Sequence, residues 1–409
     1  MAVGNIPFPA MPALDGVRLG TTMAGIGKAG RRDLVVIELP DTASVAGVFT
    51  RNAFCAAPVE VAREHLAACR QQGQAPRYWL INTGNANAGT GAQGLNDARE
   101  SCRALAAEAG VAPHRILPFS TGVIGETLPM EALLAGIAPA FAARDGQSEA
   151  WEQAAAGILT TDTRLKGASV KVPLGDRRVT INGIAKGSGM IRPDMATMLG
   201  FVVTDAAIEQ PLLERLLRQA VDRSFNCITV DSDTSTNDAC LLAATGQGAD
   251  VATDDEIRAF ADGLEQVLVA LAQSIIRDGE GATKFVTLDV SGATDRQEAL
   301  GVAFTVAHSP LVKTALYASD ANWGRILAAV GRAPVADFDV GRVTIDLDEV
   351  RLVEGGGRAP GYTEAAGSAV MAREEIGIHI DLGRGDSDAR VWTSDLSHEY
   401  VSINADYRS

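Results

Sequence analysis

The sequence has little of what marks several common functional classes. Its 36 basic residues are outnumbered by 51 acidic ones, so the formal net charge is −15. Since binding to a phosphate backbone depends on a high density of Lys and Arg, this balance argues against a nucleic-acid partner. Aromatic residues make up only 5% of the 409 residues, whereas glycines number 42. This composition indicates small-residue packing and tight turns rather than an aromatic binding platform.

Disulfide pairs and membrane segments are also missing from the pattern. The five cysteines form no CxxC pair, which indicates reduced thiols in a cytoplasmic protein; they are Cys55, Cys69, Cys102, Cys227 and Cys240. The first twenty residues lack a basic start and are interrupted by proline, unlike a signal peptide. The most apolar stretch, 267–276, is too short to span a bilayer. We therefore expect a soluble, cytoplasmic protein that binds no membrane.

Familiar metal and nucleophile motifs are absent or incomplete. The five histidines lie far apart and form no HxH or HExxH, which disfavours a zinc site. The 231–238 stretch resembles part of a calcium loop, but Thr236 and Leu242 stand where an EF-hand needs Gly and Glu. No Walker A or GxSxG pattern occurs. The sequence therefore predicts no metal, and the 231–238 stretch is interpreted as a polar loop.

One glycine-rich segment fits a dinucleotide-binding pattern only superficially. Residues 89–94 read GTGAQG and precede a helix. No acidic residue occurs between Glu108 and Glu126, where a ribose ligand is expected. We interpret the segment as a turn that leads into a helix.

The order of hydrophobic patterns predicts a mixed α/β chain. A length of 409 residues favours two or three domains. Apolar periodicity predicts strands at 34–38, 78–82 and 197–204, a hairpin of 169–174 with 179–184, and helices at 58–69, 95–107, 208–223 and 255–277. From 284 onward, apolar and polar residues alternate as in strands, with a loop at 353–361. The pattern indicates a large N-terminal unit and a smaller α+β C-terminal unit.

The stretch 184–205 admits two interpretations. It contains a Lys-Gly-Ser-Gly turn, then Pro193, then the small Ala196 before Thr197 at the head of an apolar strand. Composition alone favours an ordinary loop, proline and strand. The chemical alternative is cleavage of the 196–197 peptide bond, which would give Thr197 an α-amine with a pKa of about 7.7–8.0. That amine would take the proton from the Thr197 hydroxyl and create a nucleophile.

Seven sequence blocks resemble one enzyme family. The segment KGSGMIRPDMATML, residues 186–199, is similar to the autoprocessing segment of the ornithine acetyltransferase (glutamate N-acetyltransferase) family. The other six blocks occur in the family's order; they are ASVAGVFTRN (43–52), INTGNANAGTGAQG (81–94), STGVIG (120–125), RDGEGATKF (277–285), SDANWGRILAAVG (319–331) and VSINADYRS (401–409). The resemblance covers essentially the whole chain, and it favours the chemical interpretation of Thr197.

The resemblance implies a fold and a processing event. The family fold is an αββα sandwich related to the self-processing aminopeptidases, with a smaller α+β C-terminal domain. On this chain the units are expected at 1–283 and 284–409. Cleavage between Ala196 and Thr197 is implied, which would give an α chain of 1–196 and a β chain of 197–409. The implied assembly is an α2β2 heterotetramer.

The implied reaction is a ping-pong acetyl transfer in arginine biosynthesis. Thr197 would take the acetyl group from N2-acetylornithine, release ornithine, and pass the acetyl group to glutamate. Thr121 and Gly122 match the family's oxyanion pair, which would stabilise the tetrahedral intermediate. No cofactor is implied, but the resemblance leaves open whether acetyl-CoA also serves as an acetyl donor.

Further positions match the family's substrate-binding residues; they are Thr160 (or its neighbour Thr161), Lys186, Thr197, Glu280, Asn404 and Ser409. Lys186 suits a carboxylate or an oxyanion, and Glu280 suits an ammonium group. Ser409 stands where many members end in Thr, and it keeps the hydroxyl. Two other functions stay open: an amidase or aminopeptidase on the same self-processing scaffold, and a non-catalytic binding protein for acetylated amino acids.

Overall fold

The computed structural model describes residues 2–27, 30–192 and 198–406. Up to residue 283 the strands are, in chain order, β1 (Arg18–Thr22), β2 (Leu34–Glu38), β3 (Ser44–Phe49), β4 (Tyr78–Asn85), β5 (Ile116–Val123), β6 (Lys166–Leu174), β7 (Arg177–Lys186), β8 (Leu199–Thr204), β9 (Ile228–Thr229) and β10 (Ala239–Ala244). The helices of the same part are α1 (Ala57–Gln71), α2 (Gly91–Ala109), α3 (Met130–Ala142), α4 (Ser148–Gly157), α5 (Gln210–Asp222) and α6 (Asp254–Arg277).

Two sheets pack face to face in this part of the chain. One has the strand order β1-β2-β4-β5, and the other has the order β3-β10-β8-β7-β6. Buried side chains from both sheets share one core, in which Ile37 and Trp79 of the first sheet meet Phe201 and Leu241 of the second. Helices α2 and α3 cover the outer face of the first sheet. Helices α5 and α6 cover the second. The layers confirm the predicted αββα sandwich.

The chain from residue 285 onward forms most of a third sheet. Its strands are β11 (Phe285–Ala293), β12 (Thr344–Leu347), β13 (Val350–Glu354), β14 (Gly357–Arg358), β15 (Glu375–Asp381) and β16 (Ser387–Ser394). The helices are α7 (Arg296–Ala307), α8 (Pro310–Tyr317), α9 (Trp323–Gly331), α10 (Glu364–Met371) and α11 (His398–Ala405). The strand order is β14-β13-β12-β15-β11-β16-β9. Because β9 comes from residues 228–229, the sandwich supplies an edge strand to this sheet.

The predicted helices and strands agree closely with the structure where periodicity is strong. Helix α6 begins one residue before its predicted start because the Thr253 side chain and Glu256 form a capping box. Strands β6 and β7 form the predicted hairpin around Gly175. The prediction of a loop at 353–361 is wrong in part. Its first residues pair as β13 and β14 around a turn in which Gly355 and Gly356 have positive φ.

Helix α6 contains the most apolar stretch of the sequence. Among the described residues it is the one helix that is long and apolar enough to cross a membrane by length and composition alone. Its apolar face lies against β6 and β7, with Phe260, Leu264 and Leu271 fully buried. This packing is that of a core helix, in which an apolar stripe faces a sheet.

Candidate functional site

A cavity of about 250 Å³ lies where the two sheets of the sandwich meet helix α11. Six residues that the sequence predicted for the site line it: Thr121, Gly122, Thr160, Lys186, Glu280 and Asn404. They come from the end of β5, the loop after α4, the end of β7, the loop after α6, and α11. The fold therefore brings together positions that are up to 283 residues apart in the chain.

The end of β5 places Thr121 and Gly122 at the wall of the cavity. Strand β5 runs parallel to β4, with Thr121 opposite Thr83 and Gly122 opposite Gly84. Gly122 has φ +137°, and a Cβ at this position would lie 2.3 Å from the carbonyl carbon of Gly84. A side chain at residue 122 would therefore clash with backbone, so only glycine allows the two strands to approach here.

Lys186 ends β7 and reaches across the boundary between the two sheets. Its Nζ donates a hydrogen bond to Oγ1 of Thr121 over 3.2 Å. Burial among protein atoms lowers the pKa of Lys186 below its usual value, while the nearby carboxylate of Asp162 opposes this change. A lysine amine thus lies beside the predicted oxyanion pair.

Glu280 forms the opposite, acidic side of the cavity. Its Oε1 accepts a hydrogen bond from the Thr161 hydroxyl at 2.7 Å, and its Oε2 accepts one from the Asn404 amide at 2.8 Å. A Cβ at Gly189 would lie 2.3 Å from Oε2 of Glu280, so the glycine makes room for the carboxylate. The two hydrogen bonds fix the carboxylate in position.

The predicted choice between Thr160 and Thr161 corresponds to two different environments. The Thr160 backbone N–H donates to Oδ2 of Asp162 at 3.1 Å. The Thr161 hydroxyl contacts both Glu280 and the hydroxyl of Ser188, each at 2.7 Å. Both threonines line the cavity. Of the two threonines, Thr161 is the one whose hydroxyl binds Glu280, the carboxylate that is predicted to bind the substrate.

Three predicted site residues lie outside the described residues: Ala196, Thr197 and Ser409. The described residues next to the first two do border the cavity, because Met198 and Leu199 line it. On the other side of the gap, the carboxylate of Asp231 accepts hydrogen bonds from the backbone N–H groups of residues 190 and 191 at 2.6 and 2.7 Å. Both ends of the predicted cleavage segment are therefore held at or near the cavity.

A buried ion cluster that the sequence did not predict lies next to the cavity. Lys166 is paired with Asp162 and Asp278, with a nitrogen-to-oxygen distance of 2.6 Å to each. The Lys166 side chain is 1% exposed, and those of the two aspartates are 0% and 3% exposed. Lys166 and Asp278 are 112 positions apart in the sequence, so no local pattern signals the cluster.

The two discarded motifs have structural roles. In the glycine-rich segment 89–94, the Asn87 amide donates to the carbonyl of Gly94 over 2.9 Å and joins the turn to α2. In the 231–238 stretch, the Asn237 amide donates to the carbonyls of Ala86 and Ser120 at 2.6 and 2.9 Å. No group of three or more His, Cys, Asp or Glu suited to a metal ion occurs within ranges 2–27, 30–192 and 198–406.

Comparisons with known proteins give one consistent result. A model of the ArgJ family matches residues 18–409. The arginine biosynthesis bifunctional protein ArgJ of Methylococcus capsulatus is 54% identical over 397 residues, which cover 96% of this chain and 95% of that protein. The protein of the same name from Pseudomonas syringae pv. tomato is 53% identical, with 100% of both chains covered. A crystal structure of ArgJ from Bacillus halodurans is 36% identical, covers 51% of this chain and 98% of its own, and has a TM-score of 0.48.

Proposed function

The chain belongs to the ArgJ family, and from this premise we propose that it transfers the acetyl group of N2-acetylornithine to L-glutamate through an acetyl-Thr197 intermediate. Its relatives are bacterial biosynthetic enzymes whose name places them in arginine biosynthesis. The substrates are therefore small molecules, and the chain acts as an acetyltransferase in that pathway.

One observation carries the assignment of residues. The cavity that adjoins Met198 and Leu199 contains an oxyanion candidate, a lysine and a hydrogen-bonded carboxylate. These are the groups that an acyl transfer between two amino acids needs: a stabiliser for the tetrahedral oxyanion, and charged partners for the ends of the substrates.

In the proposed mechanism, the neutral α-amine of Thr197 accepts the proton of the Thr197 hydroxyl. The oxygen then attacks the acetyl carbonyl of N2-acetylornithine. The resulting oxyanion is stabilised by Thr121, the backbone of Gly122 and the charge of Lys186. Collapse breaks the bond to nitrogen, and the α-amine of Thr197 returns the proton to the departing ornithine. Glutamate attacks the acetyl ester in the same way and regenerates the Thr197 hydroxyl.

The same threonine would create its own α-amine. We propose that the Thr197 hydroxyl attacks the carbonyl of Ala196, that the 196–197 C–N bond breaks and its nitrogen takes the hydroxyl proton to become the α-amine, and that water then hydrolyses the ester, giving chains 1–196 and 197–409. We further propose that these chains assemble as α2β2. The resemblance of residues 186–199 to a processing segment supports this step.

The direct test is formation of N-acetylglutamate from N2-acetylornithine and glutamate by the purified protein. We expect transfer that needs both substrates and shows ping-pong kinetics. Release of acetate at an equal rate without glutamate would instead indicate an amidase. Binding of N2-acetylornithine without any turnover would indicate the non-catalytic alternative.

Thr121→Val is expected to lower kcat by roughly 10²–10³-fold, the usual effect of removing one oxyanion donor. Valine keeps the shape of the side chain but removes the hydroxyl that receives the hydrogen bond from Lys186. Steady-state kinetics should show a change in kcat with little change in KM. Thr121→Ser should restore most of the rate, and Thr83→Val, opposite in register on β4, should stay near wild type. Equal kcat values for the Val and Ser variants at position 121 would contradict the role.

Glu280→Gln is expected to raise KM for N2-acetylornithine by roughly 10- to 150-fold, since a hydrogen bond to a charged group contributes about 1.5–3 kcal/mol. The free amine of this donor is cationic, and Glu280 is the carboxylate that Thr161 and Asn404 hold at the cavity. Initial rates over a donor titration measure the change. The exposed Glu399→Gln on α11 is the matched control. An equal change of KM in Glu280→Gln and Glu399→Gln would show that Glu280 does not bind the substrate.

A second donor is favoured by an adjoining cavity. This cavity measures about 530 Å³, shares the 122–123 and 160–161 walls with the first, and carries Arg31 and Arg32 on its lining. A ligand that extends from an acetyl group at Thr121 to the two arginines must be long and negatively charged at its far end. A thioester that carries phosphates at that end has this length and charge. We propose acetyl-CoA as this donor. Assays of glutamate acetylation with acetyl-CoA, with and without N2-acetylornithine, test it, and no product from acetyl-CoA alone would exclude it.

A further inference from the structure

We propose that Asp162 is a positioning residue for acetyl transfer, which keeps Lys186 protonated and fixes two neighbouring chain segments that line the cavity. The inference rests on the proposed function, because it concerns the state of a residue that acts in that reaction. Neither the family resemblance nor the sequence pattern pointed to Asp162.

Hydrogen bonds join Asp162 to two segments that line the site. Its Oδ1 accepts a hydrogen bond from the backbone N–H of Gly187, the residue after Lys186, at 2.7 Å. Its Oδ2 accepts one from the backbone N–H of Thr160 at 3.1 Å. The side chain is fully buried. One carboxylate therefore ties the end of β7 to the loop that carries Thr160 and Thr161.

The charge balance shows why this carboxylate does more than pair with Lys166. Lys166 contacts two carboxylates, Asp162 and Asp278. One of them is enough to neutralise a single ammonium group, so the buried trio carries one surplus negative charge. Lys186 supplies the matching positive charge, and the four groups together are neutral. A buried charge without such a partner is costly, so the surplus carboxylate favours the charged form of Lys186.

Other charged groups face Lys186 from the neighbouring elements. Lys166 lies on β6 and disfavours the charged form, whereas Asp238, just before β10, and Glu280, after α6, favour it. Asp162 has the largest effect of these charged groups. Burial raises the pKa of Asp162, but Lys166 and Lys186 lower it by more, so the carboxylate stays charged. Removing its charge should therefore have a greater effect on Lys186 than removing any other single carboxylate.

The experiment compares pH profiles of kcat/KM for N2-acetylornithine in processed wild-type enzyme, Asp162→Asn and Asp278→Asn. Activity that depends on protonated Lys186 falls as the pH rises through the pKa of that residue. Asp162→Asn lowers this pKa further, so the high-pH limb should move to lower pH by about 1 unit. Asp278→Asn removes a charge that is not among the groups acting directly on Lys186, so it should shift the limb by less than Asp162→Asn does. Lys186→Gln should abolish the limb and so identify it.

A double variant separates charge from structure. Asp162→Asn with Lys166→Met restores neutrality around Lys186, so the limb should move back toward its wild-type position. If Asp162→Asn alone does not fold, the position of the limb in the double variant still tests the inference. A double variant whose limb stays shifted, or an Asp278→Asn limb that shifts as far as that of Asp162→Asn, would overturn the inference. An inactive wild-type enzyme would instead refute the proposed function, so the two failures are distinguishable.

Discussion

Thr197→Ala is expected to yield one intact chain of 409 residues that transfers no acetyl group, whereas the wild-type protein yields fragments 1–196 and 197–409. Two functions disappear together in this variant. Without a hydroxyl, residue 197 has no oxygen to attack the carbonyl of Ala196. Without cleavage, residue 197 has no free α-amine to act as a base. A denaturing gel and N-terminal sequencing of the smaller fragments measure the first loss.

The loss of activity should be very large because nucleophile and base are the same residue. Removing the nucleophile of a well-studied serine protease lowers kcat by roughly 10⁶-fold, and removing its base alone costs about as much. The same order is expected here, so transfer by Thr197→Ala should fall to the detection limit. The site around it should remain assembled, because Lys186 is hydrogen-bonded to Thr121, and Glu280 to residues 161 and 404. Binding of N2-acetylornithine, measured by calorimetry, should therefore persist.

Thr197→Ser is the matched control. It keeps a hydroxyl, so both cleavage and transfer should survive at reduced rates. The pH profile of the wild-type enzyme gives a second check, since the α-amine must be neutral to accept a proton. Activity should rise with pH through the pKa of that amine, about 7.7–8.0 in an unperturbed chain. An intact wild-type chain that still transfers acetyl would refute the mechanism in which the α-amine acts as the base.

The sequence predicted the elements whose burial follows a simple period. Helix α5 places Leu213, Leu216 and Leu217 on one buried stripe, and β15 alternates between the core and the opposite face. Helix α11 was not predicted, because none of its residues is buried and its apolar residues form no stripe. It nevertheless carries Asn404 to the cavity. Only the family resemblance, which rests on the sequence block at 401–409, pointed to that residue.

Contacts that join distant segments account for most of what the sequence did not predict. A lysine on a strand is normally predicted to face solvent, and the residues around Lys166 in the sequence do not indicate that it is buried. Its environment is decided by Asp278, which follows α6 in another part of the chain. The edge strand β9 is similar, since two residues have no period and its partner is β16. Such features depend on tertiary packing rather than on local propensity.

Lys166→Met is expected to lower the free energy of unfolding by about 3–5 kcal/mol, the usual cost of breaking a buried ion pair by removing one partner. Methionine fits a similar volume but has no charge. Asp162 and Asp278 would then be two buried carboxylates without their ammonium partner, each 3% exposed or less. Urea unfolding followed by circular dichroism measures the loss. Lys171→Met, an exposed position on the same strand β6, should change stability by no more than about 0.5 kcal/mol.

The pH dependence of this cost follows from the same charges. In the wild-type protein Lys166 helps to hold the pKa of Asp162 below its usual value. Without Lys166, burial raises the pKa of the Asp162 carboxylate in the folded state above that in the unfolded state. The folded variant then takes up protons as the pH falls, so its deficit is largest near neutral pH and shrinks toward the ordinary aspartate pKa of about 3.9. Lys166→Met with Asp278→Asn should be more stable than Lys166→Met alone, since one unpaired charge is gone. If Lys166→Met were as stable as Lys171→Met at pH 7, the cluster would contribute nothing to stability.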